Sequence, residues 1–316
     1  MPQHGAPNER EEGLPGDRDW SAAMTHTHFW TRRSFLTAAG SLVAAQRLAG
    51  GDTRVRFGVR APFATDDLSA RVKLVESLGY DGIELGPEFL DRPAEQIQSA
   101  LAGSRLQVSA IVGSLKLLDP DPEVRQKAIE LDRQRLRLAK TLGALGVIEV
   151  PAFGPCKFPA EAGKPSPHTL EDDLLIEALR ALRPEMAATG VAILIEPLTK
   201  RETHYMNLQS HGAKVIETAG VPGPSLLSDF YHMQMEEQDI GRTLATHGGH
   251  TAYVHLADGA QRTEPGSLPF DYRPGFRALK QHGFHGWLTM ECKATDKPEA
   301  ALKRALAYIK KQWNEA

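Results

Sequence analysis

The stretch VAILIEP at residues 191–197 is five apolar residues closed by an acid and a proline. It is too short for a helix and too apolar for a half-exposed strand, so it reads as a strand buried on both faces. The same design returns as SLLSDF at 225–230, TAYVHLAD at 251–258 and GWLTMEC at 286–292. Toward the N-terminus, shorter examples stand at VRFGV (55–59), GIEL (82–85), QVSAIV (107–112) and VIEV (147–150). Between them run segments of helical period that end on glycine. DDLSARVKLVESLGY puts Leu68, Val72, Val75 and Leu78 on one face before Gly79. PEVRQKAIELDRQRLRLAKTLGALG carries Ile129, Leu136 and Leu142 on one face and a run of charges on the other, read as a solvated surface.

Eight buried strands alternating with helices imply a parallel sheet, and eight units in about 250 residues match a closed (β/α)₈ TIM barrel of the α/β class. A doubly wound open sheet is the runner-up. It would carry a glycine-rich dinucleotide loop after its first strand, and GDTRVRFGVRAPF lacks that spacing. The barrel is expected as one domain over residues 54–316.

Residues 1–50 differ in kind. MPQHGAPNEREEGLPGDRDW is polar, rich in glycine and proline and without periodicity, the composition of a disordered segment. TRRSFLTAAGSLVAAQRLAG then sets Arg32 and Arg33 before a short apolar stretch. This layout resembles a twin-arginine signal peptide, with cleavage expected between Ala45 and Gly51. The bland alternative is a basic amphipathic helix. The export reading names the twin-arginine machinery as a partner and places the folded protein in the periplasm or beyond; without it the protein is cytoplasmic.

A formal charge of −3 disfavours nucleic acid as a main partner, and no apolar run is long enough for a permanent membrane span. Cys156 and Cys292 form no ligand pattern and read as unpaired.

The last four strands each end on an ionisable group: Glu196, Asp229, His255 and Glu291, at intervals of 33, 26 and 36 residues. Each interval is about one βα repeat, so all four are expected around one mouth, at the C-terminal strand ends where chemistry sits in a barrel. A single buried acid is commonly satisfied by a lysine or by backbone amides. Three converging carboxylates repel one another unless a cation joins them. Three carboxylates and an imidazole make a hard, oxygen-dominated site that suits Mn²⁺ or Mg²⁺, with Co²⁺ also fitting. Their formal charge around a divalent ion is about −1, which favours a neutral polyol over a phosphorylated one.

The stretches IEPLTKRETHYMN, SDFYHMQMEE, YVHLADGAQRTEPG and TMEC resemble the xylose isomerase-like barrel superfamily, in its ketose 3-epimerase and hydroxypyruvate isomerase branch. The resemblance implies that Glu196, Asp229, His255 and Glu291 hold the metal, with Glu196 and Glu291 as the acid/base pair. It also implies that Glu202, His232 and Arg262 contact a carbohydrate substrate. One departure stands out: the family's arginine lies six positions after the strand-seven histidine, where this chain has Gln261, and Arg262 comes one later. Glu236 and Glu237 read as the first turn of the following helix.

The implied reaction is isomerisation or epimerisation of an unphosphorylated keto sugar or small hydroxy-carbonyl compound, by proton transfer through a metal-bound enediolate. Alternatives are a lyase or dehydratase of 3-keto sugars or glycosides, and a non-catalytic sugar-binding barrel. A repair endonuclease of this fold would need histidines at the ends of strands two and three, which read IELGPEF and AIVGSLK.

Overall fold

In a computed structural model that describes residues 54–160 and 165–316, eight parallel strands close into a barrel in sequential order. They are β1 (Arg56–Ala61), β2 (Gly82–Leu85), β3 (Gln107–Val112) and β4 (Gly146–Glu149), followed by β5 (Ala192–Ile195), β6 (Pro224–Asp229), β7 (Thr251–Leu256) and β8 (Trp287–Glu291). The stretch holding Arg32 and Arg33 lies outside the described residues. Among the described residues, no helix is long and apolar enough to cross a membrane.

The helices that return the chain from strand to strand are α1 (Leu68–Ser77), α2 (Pro87–Leu90), α3 (Ala94–Leu101), α4 (Pro122–Leu142) and α5 (Pro167–Thr189). They continue with α6 (Gln209–Ala219), α7 (Phe230–Glu236), α8 (Ile240–His247), α9 (Arg273–Gln281) and α10 (Pro298–Glu315). Their limits follow from local chemistry. In α4 the Asp121 carboxylate accepts from the Glu123 amide, Pro122 opens the first turn, and Gly143 closes the helix at φ 72°.

Glu236 and Glu237, expected to open a helix, instead close α7. The Glu236 carboxylate accepts from Thr199 Oγ1 and the Lys200 amide, both at 2.8 Å, so it pins the loop after β5. A second correction concerns α4. Asp132 stands within its charged run yet is fully buried, because it turns in under the loop after β3.

Alternation along each strand separates two environments. Val147, Ile193 and Ile195 face the helices, whereas Ile148, Ala192, Leu194, Leu227, Tyr253 and Trp287 pack together in the barrel interior. Trp287 fills the interior because its neighbour gives way: a Cβ on Gly82 would stand 2.5 Å from the indole ring. Counting on by two from these inward residues gives Glu84, Glu196, Asp229, His255 and Glu291, the last inward positions of their strands. The register pairs Asp229 with His255, and sets His255 beside Thr289, two residues before Glu291.

Candidate metal centre and active site

Glu196, Asp229, His255 and Glu291 converge, with one donor atom from each lying within 4.8 Å of all the others. Three of them are buried and Glu291 is partly exposed, so the cluster opens to solvent on one side. Asp229 does two jobs. Its Oδ1 caps α7 by accepting from the Tyr231 amide at 2.8 Å, and its Oδ2 remains for the centre.

His255 is aimed by a residue that the sequence reading passed over. Glu84 Oε2 faces His255 Nε2 at 2.7 Å and also accepts from the Tyr253 hydroxyl at 2.9 Å. That hydroxyl in turn accepts from Thr289 Oγ1 at 2.8 Å and meets Ser109 Oγ at 2.7 Å. A carboxylate on one ring nitrogen puts the proton there and leaves the other nitrogen as a donor to a metal. The other nitrogen, Nδ1, is the one that faces the cluster, 2.9 Å from Glu291 Oε2 and 3.3 Å from Glu196 Oε1. The donor set and the tautomer both fit a divalent cation.

Arg262 belongs to the site despite its displaced position in the sequence. It adopts φ 57°, a left-handed conformation unusual for a residue with a side chain, in the turn between Asp258 and Thr263. That backbone carries the guanidinium to Asp229 Oδ2 at 2.9 Å, onto Glu291 Oε2, and across the Tyr231 ring at 4.6 Å. Arg60 enters from β1, 3.3 Å from Glu84. With Glu84, Arg60 and Arg262 included, four carboxylates, two guanidiniums and a divalent ion sum to zero rather than −1. Charge alone therefore does not exclude an anionic group on the substrate.

Burial pushes Glu196 up from the ordinary glutamate value, against the hydrogen bond from His255. For Glu291 burial acts in the same direction, but His255 when its ring is protonated, with Arg262 and Arg60, outweighs it and holds the carboxyl well below the usual range.

His232 is 2% exposed. Its Nδ1 accepts from the Thr199 amide at 3.0 Å, so the neutral ring carries its proton on Nε2. Nε2 is buried without a hydrogen-bond partner and lies 3.4 Å from Asp229 Oδ2, poised to donate toward the centre. Glu202 is half-buried in the loop after β5, where its charge acts on both Arg262 and Tyr231. Cys156 and Cys292 are both free.

Residues 72–312 match the model of the xylose isomerase-like TIM barrel family, and the chain belongs to that family. Among its relatives is the 3-dehydro-D-guloside 4-epimerase of Escherichia coli, 24% identical over 253 residues that cover 78% of this chain and 96% of the relative. Another is the L-ribulose 3-epimerase of Methylomonas sp., 26% identical over 246 residues, 75% of this chain and 82% of the relative. Among solved structures, the apo 3-keto-D-glucoside 4-epimerase of E. coli superposes with a TM-score of 0.73 at 22% identity, covering 82% of this chain and all of that one. The D-psicose 3-epimerase of Clostridium cellulolyticum with D-tagatose gives 0.71 at 18% identity, over 82% of this chain and 99% of its own.

Proposed function

We propose that the protein is a divalent-metal-dependent isomerase or epimerase acting on an unphosphorylated keto sugar, with Mn²⁺ as the preferred ion. The observation that carries this reading is the convergence of Glu196, Asp229, His255 and Glu291 at four adjacent strand ends. When bound, a divalent cation supplies Lewis-acid stabilisation for the charge that builds on a carbonyl oxygen as the neighbouring carbon loses its proton. Three oxygens and one nitrogen suit Mn²⁺ better than a thiolate-seeking metal.

The chain supplies the proton transfers. Glu291, held ionised, takes the proton from the carbon next to the carbonyl. Glu196, across the site from Glu291, gives a proton from its carboxyl group to the other side of the sugar or to the adjacent carbon and regains it from solvent between turnovers. His232 Nε2–H donates to the substrate oxygen, and Arg262 with Glu202 positions the hydroxyls farther out. Support for an unphosphorylated substrate comes from the relatives, whose names are those of a guloside and a ribulose epimerase.

A second reading keeps the same deprotonation and expels a leaving group instead of reprotonating. It is favoured by the glycoside in the name of the E. coli relative. Incubation of Mn²⁺-loaded protein with ketoses and 3-keto-glycosides in deuterated water separates the two. Deuterium at the carbon beside the carbonyl, with the substrate's groups retained, supports the isomerase or epimerase. A released aglycone or an unsaturated product moves the assignment to the lyase.

Export in folded form through the twin-arginine route remains part of the proposal, resting on Arg32, Arg33 and the apolar stretch after them. Secretion fused to a folded reporter, with and without Arg32→Lys and Arg33→Lys together, tests it.

A further inference from the structure

A second group of metal-ligating side chains lies outside the centre described above. Cys156 comes from the loop after β4, His204 from the loop after β5, and Glu171 from the first turns of α5. One donor atom from each lies within 4.8 Å of the other two. Glu171 Oε1 is 2.6 Å from His204 Nε2 and 3.9 Å from Cys156 Sγ.

Two further observations point to a ligand. First, His204 Nδ1 lies 2.8 Å from the Gly154 carbonyl oxygen. A carbonyl oxygen only accepts, so Nδ1 carries the proton and the neutral ring presents a lone pair at Nε2. That lone pair faces a carboxylate oxygen at 2.6 Å, a contact that repels unless a proton or a metal ion lies between them. A backbone carbonyl on the far nitrogen is also how metal-binding histidines are commonly oriented, and it parallels the hold of Glu84 on His255. Second, Glu171 is 1% exposed, and its Oε2 is buried without a hydrogen-bond partner. A carboxylate oxygen in that state bears its full desolvation penalty unless something coordinates it.

Glu171 and His204 line one wall of a cavity of about 200 Å³, whose other walls include Leu115, Phe153, Lys116 and Lys157. We propose that Cys156, Glu171 and His204 form a second metal site, selective for Zn²⁺, with its open fourth position toward this cavity. Thiolate, imidazole and carboxylate together are a zinc set rather than a manganese or magnesium one. Binding displaces two protons to solvent, one from the Cys156 thiol and the one held between Glu171 and His204, which move apart to bond the ion. Lys116 and Lys157 on the cavity wall, against the single further acid Asp119, favour hydroxide or a carboxylate as the fourth ligand. Such an ion clips the loops after β4 and β5 to the start of α5, on the flank of the barrel mouth that holds Glu202.

The test follows the thiol in the full chain after chelator treatment. Iodoacetamide modification of Cys156 is read by peptide mass spectrometry with and without added Zn²⁺, and buried Cys292 reports any unfolding. Zn²⁺ is expected to slow modification of Cys156 by about tenfold or more, because the coordinated thiolate is no longer free. The protection should persist in Asp229→Ala, which separates this site from the first, and should vanish in Glu171→Gln and His204→Ala. Co²⁺ should give a near-ultraviolet thiolate charge-transfer band in the wild type and in Asp229→Ala, absent from Cys156→Ser. Equal modification rates with and without Zn²⁺ overturn the proposal, as does protection that survives both Glu171→Gln and His204→Ala.

Discussion

Glu84 and His255 meet across the barrel interior, Oε2 to Nε2 at 2.7 Å, although 171 residues separate them in the chain. The contact decides which imidazole nitrogen faces the metal centre. It is one link in a buried hydrogen-bonded series from Thr289 through Tyr253 to Glu84 and on to His255. The wall opposite the ligands is thereby set before any ion or sugar arrives.

Glu84→Gln tests that role. An amide keeps the shape and can still accept from His255, but it removes the charge that makes the ring a strong donor. Mn²⁺ affinity should fall about 10–100-fold, the usual cost of losing such a partner. Calorimetric titration of chelator-treated protein measures it, with circular dichroism to show that the barrel is intact. Unchanged affinity would remove Glu84 from the account.

Asp229 and Glu291 should separate binding from turnover. Asp229→Ala loses bound Mn²⁺ and also the cap on α7, the latter worth about 1 kcal/mol. Asp229→Asn retains the cap, so a metal deficit shared by both variants belongs to the ligand. Glu291→Gln should reduce kcat by about 10²–10⁴-fold while Tm stays within a few degrees. Full metal content in Asp229→Ala, measured by elemental analysis, would sink the ligand assignment.

The convergence of Glu196, Asp229, His255 and Glu291 was legible because barrel geometry turns sequence spacing into position. Each is the last inward residue of its strand, and strands one repeat apart end at similar heights. Glu84 follows the same rule, two residues after inward-facing Gly82, but one acid in a four-residue strand looks like a strand edge until its partners are known. Arg262 was legible only by resemblance. What returns it to the site from its displaced position is a left-handed backbone at φ 57°, which no offset in a motif announces. Asp132 was hidden by company: in a helical face of charges, nothing marks the one that turns inward.

Arg262 is the chain's own counter-charge for Asp229 and Glu291, and burial beside them raises its already high pKa through their negative charge, against the cost of desolvation. Removing it as Arg262→Gln should leave the carboxylates in mutual repulsion. In chelator-treated protein the loss should be on the order of 2 kcal/mol, a fall in Tm of about 4–8 °C. Mn²⁺ should restore more stability to this variant than to the wild type, because the ion then supplies the positive charge that Arg262 gave to Asp229 and Glu291. Thermal melts with and without Mn²⁺ give both increments, and equal increments would show that Arg262 does not balance these carboxylates.

Asp132 and Glu149 form a buried acid pair outside the barrel interior, where α4 packs on β4. Both converge on Ser114 Oγ, at 3.0 and 3.2 Å, and with the Ser114 and Leu115 amides they hold the loop after β3. Burial raises Asp132 from 3.8 to about 6, and burial together with the Asp132 charge raises Glu149 well above its usual value. The sign for stability follows from proton binding. Between pH 3.8 and about 6 the unfolded chain has released the Asp132 proton and the native protein has not, so stability falls as pH rises. The loss is complete above pH 6 and on the order of 1–3 kcal/mol for this group. Asp132→Asn keeps an acceptor for the Ser114 amide and abolishes the titration. The variant should therefore be more stable than the wild type at pH 8 and closer to it at pH 4. Urea unfolding at the two pH values reads the difference directly, and a gap that widened toward pH 4 would show that the pair is held ionised instead.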